Sequence, residues 1–162
     1  AMTRKVKLEL NSYNNLYEMV KEHSDNLKVI PSIPPVQKGY VHSGFGYRKD
    51  PFDGKVRFHY VLDFAVNTGT KIYAPADGKI KFAGRQGGFG NVLKIDHGNG
   101  NRTLFAHLSK FKVKSGQQVK RGDLIAISGN TGRSAGPHLH YEVHKYGTPQ
   151  NPLDYFFSGY LK

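Results

Sequence analysis

The sequence predicts a mainly β protein, an antiparallel sandwich or barrel-like domain preceded by a short N-terminal helix. Three observations carry that reading. The chain holds 19 glycines. From Gly39 onward its apolar runs are short and are parted by glycine and asparagine. One such break, Asp96-His97-Gly98-Asn99-Gly100-Asn101, has the composition of a hairpin connection, rich in residues that tolerate positive φ.

Taken in order, the elements begin with a helix over residues 8–28. Leu8, Leu16, Met19, Val20 and Leu27 recur there at partly helical spacing, and Asn11 or Ser12 is placed to cap its start. Ile30-Pro31-Ser32-Ile33-Pro34-Pro35-Val36 follows. Its three prolines forbid helix, so the segment reads as an extended linker. This divides the chain into residues 1–38, helix and linker, and residues 39–162, the β domain. Strands are expected at Lys79-Ile80-Lys81-Phe82, which alternates, and at Val92-Leu93-Lys94-Ile95 and Thr103-Leu104-Phe105, which flank the hairpin connection. Leu124-Ile125-Ala126-Ile127 and His140-Tyr141-Glu142-Val143 are two more. No internal repeat is evident.

Composition narrows the function classes. A chain of 162 residues is long enough for one domain with a real core. With no cysteine, disulfides and thiolate zinc sites are excluded, and any metal must be held by His, Asp or Glu. The net charge of +12 favours polyanionic partners such as anionic wall polymers. Lys and Arg are dispersed, however, and no common nucleic-acid motif is present, so no nucleic-acid partner is expected. No run approaches the ~20 apolar residues of a membrane-spanning helix. Ala1-Met2 reads as an internal start, with a signal or anchor expected to have been removed ahead of it.

Five polar residues stand in apolar, strand-like runs: His59, Asp63, His107, His138 and His140. In an extended strand, His138 and His140 share a face, roughly 6–7 Å apart. Imidazole is a frequent zinc ligand. A hydrolytic zinc site needs three protein ligands, an open position for water, and nearby groups that move protons. Two His and one Asp could ligate while two further His do the second task.

The order His-x-x-x-Asp, then Ala106-His107-Leu108, then Gly136-Pro137-His138-Leu139-His140 resembles the M23 (lysostaphin and LytM-like) metallopeptidases. The resemblance spans roughly residues 31–157 and includes Ser43-Gly44-Phe45-Gly46-Tyr47-Arg48, Asp63-Phe64-Ala65, Tyr73-Ala74-Pro75-Ala76-Asp77-Gly78 and Ser128-Gly129-Asn130-Thr131-Gly132. It implies a LytM-type antiparallel β domain with a groove, one zinc ion, and cleavage of peptide bonds in peptidoglycan. By motif position, His59, Asp63 and His140 match the zinc ligands, and His107 and His138 match the catalytic histidines. The implied partner is the peptide stem of peptidoglycan and the implied place is the cell envelope, periplasmic or extracellular. The proline segment ahead of the domain suggests a Gram-negative arrangement and a D,D-endopeptidase.

One departure stands out. The family usually has glycine between the first two ligands, where this chain has Val61. A β-branched residue there restricts the backbone, which puts activity in question. A catalytically weak or inactive domain that binds wall or activates other hydrolases is therefore the competing reading. The remaining histidines take plainer readings: His23 solvated on the helix, His42 at the surface, His97 as turn chemistry in the hairpin, and His144 remote from His138. Arg48 and Tyr47 are candidates for substrate contact or for ordinary packing, and Asp77 for a turn.

Overall fold

The computed structural model describes residues 15–19, 21–38 and 40–156, and the side chains of Tyr40, His42 and Ser43 fall outside that description. The expected helix is present as α1 over residues 15–19 and 21–28. Its expected start, with the caps at Asn11 and Ser12, lies outside the described residues. The apolar side chains of α1 do not reach the core: Leu16, Met19 and Leu27 are all exposed. Among the described residues, no helix is long and apolar enough to cross a membrane.

Among the described residues, twelve strands follow: β1 (Tyr40–Ser43), β2 (Gly46–Lys49), β3 (Val56–His59), β4 (Leu62–Ala65), β5 (Lys71–Tyr73), β6 (Gly78–Arg85), β7 (Asn91–Gly98), β8 (Asn101–Phe111), β9 (Gln118–Val119), β10 (Leu124–Ser128), β11 (Leu139–Lys145) and β12 (Thr148–Gln150). Ten of them form one antiparallel sheet in the order β1-β4-β11-β8-β7-β6-β9, with β10 joining β8 to β5 and β12 pairing β11. The remaining two, β2 and β3, form a separate ribbon. All five expected strands are found, within β6, β7, β8, β10 and β11. The expected hairpin connection joins β7 to β8.

Alternation sets which face is buried. Along β11, Leu139, Tyr141 and Val143 are completely buried, while His140, Glu142 and His144 face the other way. Leu62 and Phe64 of β4, Ile80 of β6, Leu93 and Ile95 of β7, and Phe105 and Leu108 of β8 join the same apolar cluster. A smaller cluster, Val92, Leu104 and Ala106 with Phe89 against it, occupies the opposite face beside the polar residues.

The proline segment contains no helix, as its sequence requires, but it is bent at Ile30, Ile33 and Pro35 rather than extended, and it is packed. Val36 belongs to the main core. Tyr73 N–H donates to Pro35 O at 2.8 Å, Asp77 N–H to Lys28 O at 2.9 Å, and Asn101 Nδ2 to Val29 O at 3.1 Å. Arg121 Nη2 donates to Ile30 O at 3.2 Å.

His97 corrects the turn reading. It is 3% exposed, with Nδ1 donating to Asp77 O at 2.8 Å and Nε2 accepting from Thr103 Oγ1 at 2.7 Å. The histidine is a buried tie between the start of β6 and the β7–β8 hairpin. Its side chain points inward on β7, a placement the composition of the connection does not reveal. Asp77, read as a turn residue, also receives Arg121 N–H at 2.8 Å on Oδ1.

Candidate active site

Strand register assembles the site. Asp63 of β4 stands opposite His140 of β11, and His140 stands opposite Ala106 of β8. His59 ends β3, four residues before Asp63, where its backbone pairs with Gly46. His138 lies just ahead of β11 and bridges to Gly129.

His107 arrives by a different device. A regular β8 would alternate, and Phe105 and Leu108 would fall on opposite faces. Both instead sit in the main core. The backbone at His107 has φ +62°, and three β8 steps from Phe105 to Leu108 match two β7 steps from Leu93 to Asn91. This is a β-bulge, with one extra residue that re-aims a side chain. It turns His107 onto the site face beside Ala106, in a backbone region costly for a residue other than glycine.

Each imidazole is fixed by an outer partner and offers its other nitrogen inward. Since a carbonyl oxygen only accepts, His59 Nδ1 donates to Gly44 O at 2.8 Å and His107 Nδ1 to Thr131 O at 2.8 Å. His138 Nδ1 donates to Gly136 O at 2.8 Å, with Ser134 Oγ 3.2 Å away. His140 is reversed: Nε2 donates to Glu142 Oε2 at 2.6 Å, leaving Nδ1 inward. The free nitrogens converge on Asp63. His59 Nε2 lies 3.4 Å from Oδ2, while His140 Nδ1 and His138 Nε2 lie 3.8 and 3.9 Å from Oδ1. The His107 ring packs 4.7 Å from that of His138 and 5.6 Å, edge-on, from that of His140. Phe89 closes one side of His140, edge-on at 5.4 Å.

Electrostatics follow from this crowding. Burial pushes the Asp63 carboxyl up, but the hydrogen bond to His59 and the charges of His140, His59 and His138 outweigh it and hold the pKa below the ordinary value. For His107, burial is the leading effect and lowers the pKa, favouring neutral imidazole, and the bond to Thr131 opposes it. Glu142 is pulled down to about 2, where hydrogen bonds from His140 and His144 overcome the burial that would raise it.

The donor set suits a zinc ion. Asp63 Oδ1 is buried without a hydrogen-bond partner, an unusual state for a carboxylate oxygen. It faces ring nitrogens of His138 and His140 that their outer hydrogen bonds leave unused. Two ligand atoms on one tetrahedral zinc stand about 3.3 Å apart, close to the 3.4 Å between His59 Nε2 and Asp63 Oδ2. The other pairs are wider, and among the described residues no three such side chains are yet drawn tightly enough to enclose an ion.

The loops behind the site interlock. Arg133 N–H donates to Gly88 O at 2.8 Å, and Asn91 N–H donates to Thr131 Oγ1 at 3.0 Å. Gly132, at φ +76°, lies so close that a Cβ would stand 2.3 Å from Gly90 N. This contact holds Thr131 O under His107.

All five residues singled out in the sequence come together here. Val61 is buried at 8% exposure, and φ at this position lies outside the left-handed region. Valine therefore meets no backbone obstacle there. Arg48 Nη1 approaches Asp63 Oδ2 at 3.9 Å, whereas Tyr47 is 79% exposed and rests edge-on against Phe58. His23 is exposed. Sequence reasoning missed Glu142 and the carbonyl of Thr131, and it set His144 aside as remote from His138, whereas His144 Nε2 donates to Glu142 Oε1 at 2.8 Å. Period-two spacing, which puts His144 on the face of His140, would have placed Glu142 there as well.

An antiparallel sheet that gathers oriented imidazoles around a buried carboxylate has the design of a metallopeptidase. The chain belongs to peptidase family M23, whose model matches residues 57–152. It is 47% identical over 122 residues to the DD-carboxypeptidase/endopeptidase Mpg of Neisseria meningitidis, an alignment covering 75% of this chain and 28% of that protein. The chain thus spans less than a third of that relative. Among solved structures, it resembles a zinc-containing peptidase from Vibrio cholerae, with TM-score 0.71 and 41% identity over 75% of this chain and 39% of the other. It also resembles the catalytic domain of the antimicrobial peptidase lysostaphin from Staphylococcus simulans, with TM-score 0.65 and 36% identity over 72% of this chain and 90% of that one.

Proposed function

We propose that the chain is a zinc endopeptidase that hydrolyses peptide cross-links of peptidoglycan in the cell envelope, with D,D bonds as its substrate. The observation that carries this reading is the convergence of oriented imidazole nitrogens on the orphaned Oδ1 of Asp63. The D,D preference is supported by the likeness to Mpg.

In this reading His59 Nε2, Asp63 and His140 Nδ1 hold the ion. When bound, zinc supplies Lewis-acid polarisation of the scissile carbonyl and makes the attacking water more acidic. His107 and His138 remain outside the ligand set. Each has Nδ1 tied to a carbonyl, so only Nε2 is available to take or give a proton. Lowered basicity keeps His107 neutral, a state that accepts a proton from water. Protonated, either ring becomes a donor to oxygen charge developing at the carbonyl. The net charge of +12 would help retain the protein on an anionic wall.

The test is digestion of purified peptidoglycan, with mass analysis of the fragments, alongside zinc analysis of variants. Fragments cut at D,D cross-links are expected. His59→Ala, Asp63→Ala and His140→Ala should lose zinc. His107→Ala and His138→Ala should retain zinc while turnover falls ~10²–10⁴-fold. Undigested wall from a zinc-loaded protein would overturn the enzymatic reading in favour of a binding or activating domain. Full zinc in all three ligand variants would overturn the ligand set.

A further inference from the structure

His140, Glu142 and His144 occupy successive positions on one face of β11, with Leu139, Tyr141 and Val143 buried on the other. In a pleated strand, such neighbours are roughly 6–7 Å apart, a gap that a central carboxylate can bridge on both sides. Glu142 does so. Its Oε2 accepts from His140 Nε2 at 2.6 Å and its Oε1 from His144 Nε2 at 2.8 Å. The Glu142 side chain is 12% exposed, and that of His144 25%. The carboxylate is thus largely shielded and both of its oxygens are engaged.

We propose that Glu142, braced by His144, is a positioning residue that fixes the His140 ring with Nδ1 toward Asp63 and thereby sets zinc affinity. This rests on the reading of His140 as a ligand. A histidine ring has two nitrogens and a broad terminal torsion, so its ligating edge must be chosen by something else. His59 is held by Gly44 O, a backbone atom that cannot swing away. His140 has a side chain as its outer partner, and that carboxylate has rotamers of its own. His144 restricts them, because a carboxylate bonded through both oxygens loses its freedom to rotate. A carboxylate behind a ligating imidazole also makes the ring a stronger donor, and losing such a partner weakens metal binding by about 10–100-fold. Edge contact from Phe89 limits the ring from another side.

The experiment measures zinc affinity by competition with a chelator of known affinity, and melting of the zinc-free protein, for variants of the full chain. Glu142→Ala is expected to weaken zinc by about 10–100-fold. Glu142→Gln keeps the shape but offers one acceptor where two are needed, so it should fall between Glu142→Ala and the wild type. His144→Ala should weaken zinc by less than Glu142→Ala. His144→Gln, whose amide can still donate to Oε1, should recover wild-type affinity. A merely structural role would lower the zinc-free melting temperature and leave zinc affinity unchanged. If His140→Ala loses zinc while Glu142→Ala and the isosteric Glu142→Gln bind it as the wild type does, the positioning role is overturned and the ligand set stands. If His140→Ala itself keeps wild-type affinity, the ligand reading fails, and this proposal with it. If His144→Ala matches the wild type, the bracing role falls.

Discussion

At the scale of the residue, the site is a set of tautomer choices made by neighbours. Gly44 O, Thr131 O and Gly136 O each accept a hydrogen bond from a different Nδ1–H, and Glu142 accepts one from the Nε2–H of His140. Three of these partners are backbone carbonyls brought close only by folding, and they leave no motif, whereas Glu142 shares strand parity with His140. Val61 shows the opposite case, a residue conspicuous in sequence whose consequence is slight. Its φ needs no glycine, and the residue is buried, with 8% exposure. Val61→Gly would remove that burial and add glycine's unfolded-state freedom, for a loss of roughly 2–4 kcal/mol. The expected outcome is a less stable protein with unchanged zinc stoichiometry and no gain in kcat/KM on cross-linked peptidoglycan. Denaturant unfolding, elemental analysis and a turnover assay check it together. A rise in kcat/KM would show that valine does crowd the metal.

At the scale of the element, the bulge in β8 and the loop contact behind it act as one device. His107 is forced onto the site face at φ +62° and is then caught by Thr131 O at 2.8 Å. That carbonyl is held in place by the contact of Gly132 with the backbone of residues 88–90. Gly132→Ala meets both a left-handed backbone, φ +76°, and a 2.3 Å approach to Gly90 N. It should cost on the order of 1–3 kcal/mol and shift Thr131, so that kcat falls while zinc is retained. Full activity with unaltered stability would show that the two loops yield freely. The strands legible in the sequence were those long enough for a run of apolar residues, such as β7 and β10. The short strands β1 to β5, β9 and β12 carry two to four residues each, too few for a period to declare itself. The five site residues were legible because they stand as polar exceptions in apolar runs. The bulge left no trace in the sequence, because Leu104, Phe105, Ala106 and Leu108 are all apolar and a regular strand would set Leu108 on the face of Leu104 and Ala106.

At the scale of the whole molecule, the N-terminal segment, the β6 start and the β7–β8 hairpin meet around Asp77 and His97. Asp77 N–H donates to Lys28 O, Asp77 O accepts from His97, and Asp77 Oδ1 accepts from Arg121 N–H. The prolines correctly exclude helix after α1, yet three prolines do not reveal that Val36 enters the core or that Asn101 bonds back to Val29 O. The Asn101–Val29 bond joins residues 72 positions apart, beyond the reach of any local pattern. His97 gives this junction a pH dependence. Burial, partly opposed by the bond to Asp77 O, lowers its pKa from 6.5 to about 4. The unfolded chain therefore binds the proton more readily than the native one. The stability supplied by neutral His97 is fully present above the unfolded value near 6.5 and is lost as pH falls toward about 4. At about 1.4 kcal/mol per unit, the loss is on the order of 3 kcal/mol. His97→Gln cannot titrate, so chemical denaturation of the zinc-free protein should show the wild type losing about 3 kcal/mol more than the variant between neutral pH and pH near 4. The offset at neutral pH reports the hydrogen bonds that glutamine fails to replace, and the difference in slope reports the proton. Parallel stability curves for the two proteins would mean that the fold does not lower the pKa of His97 below its unfolded value.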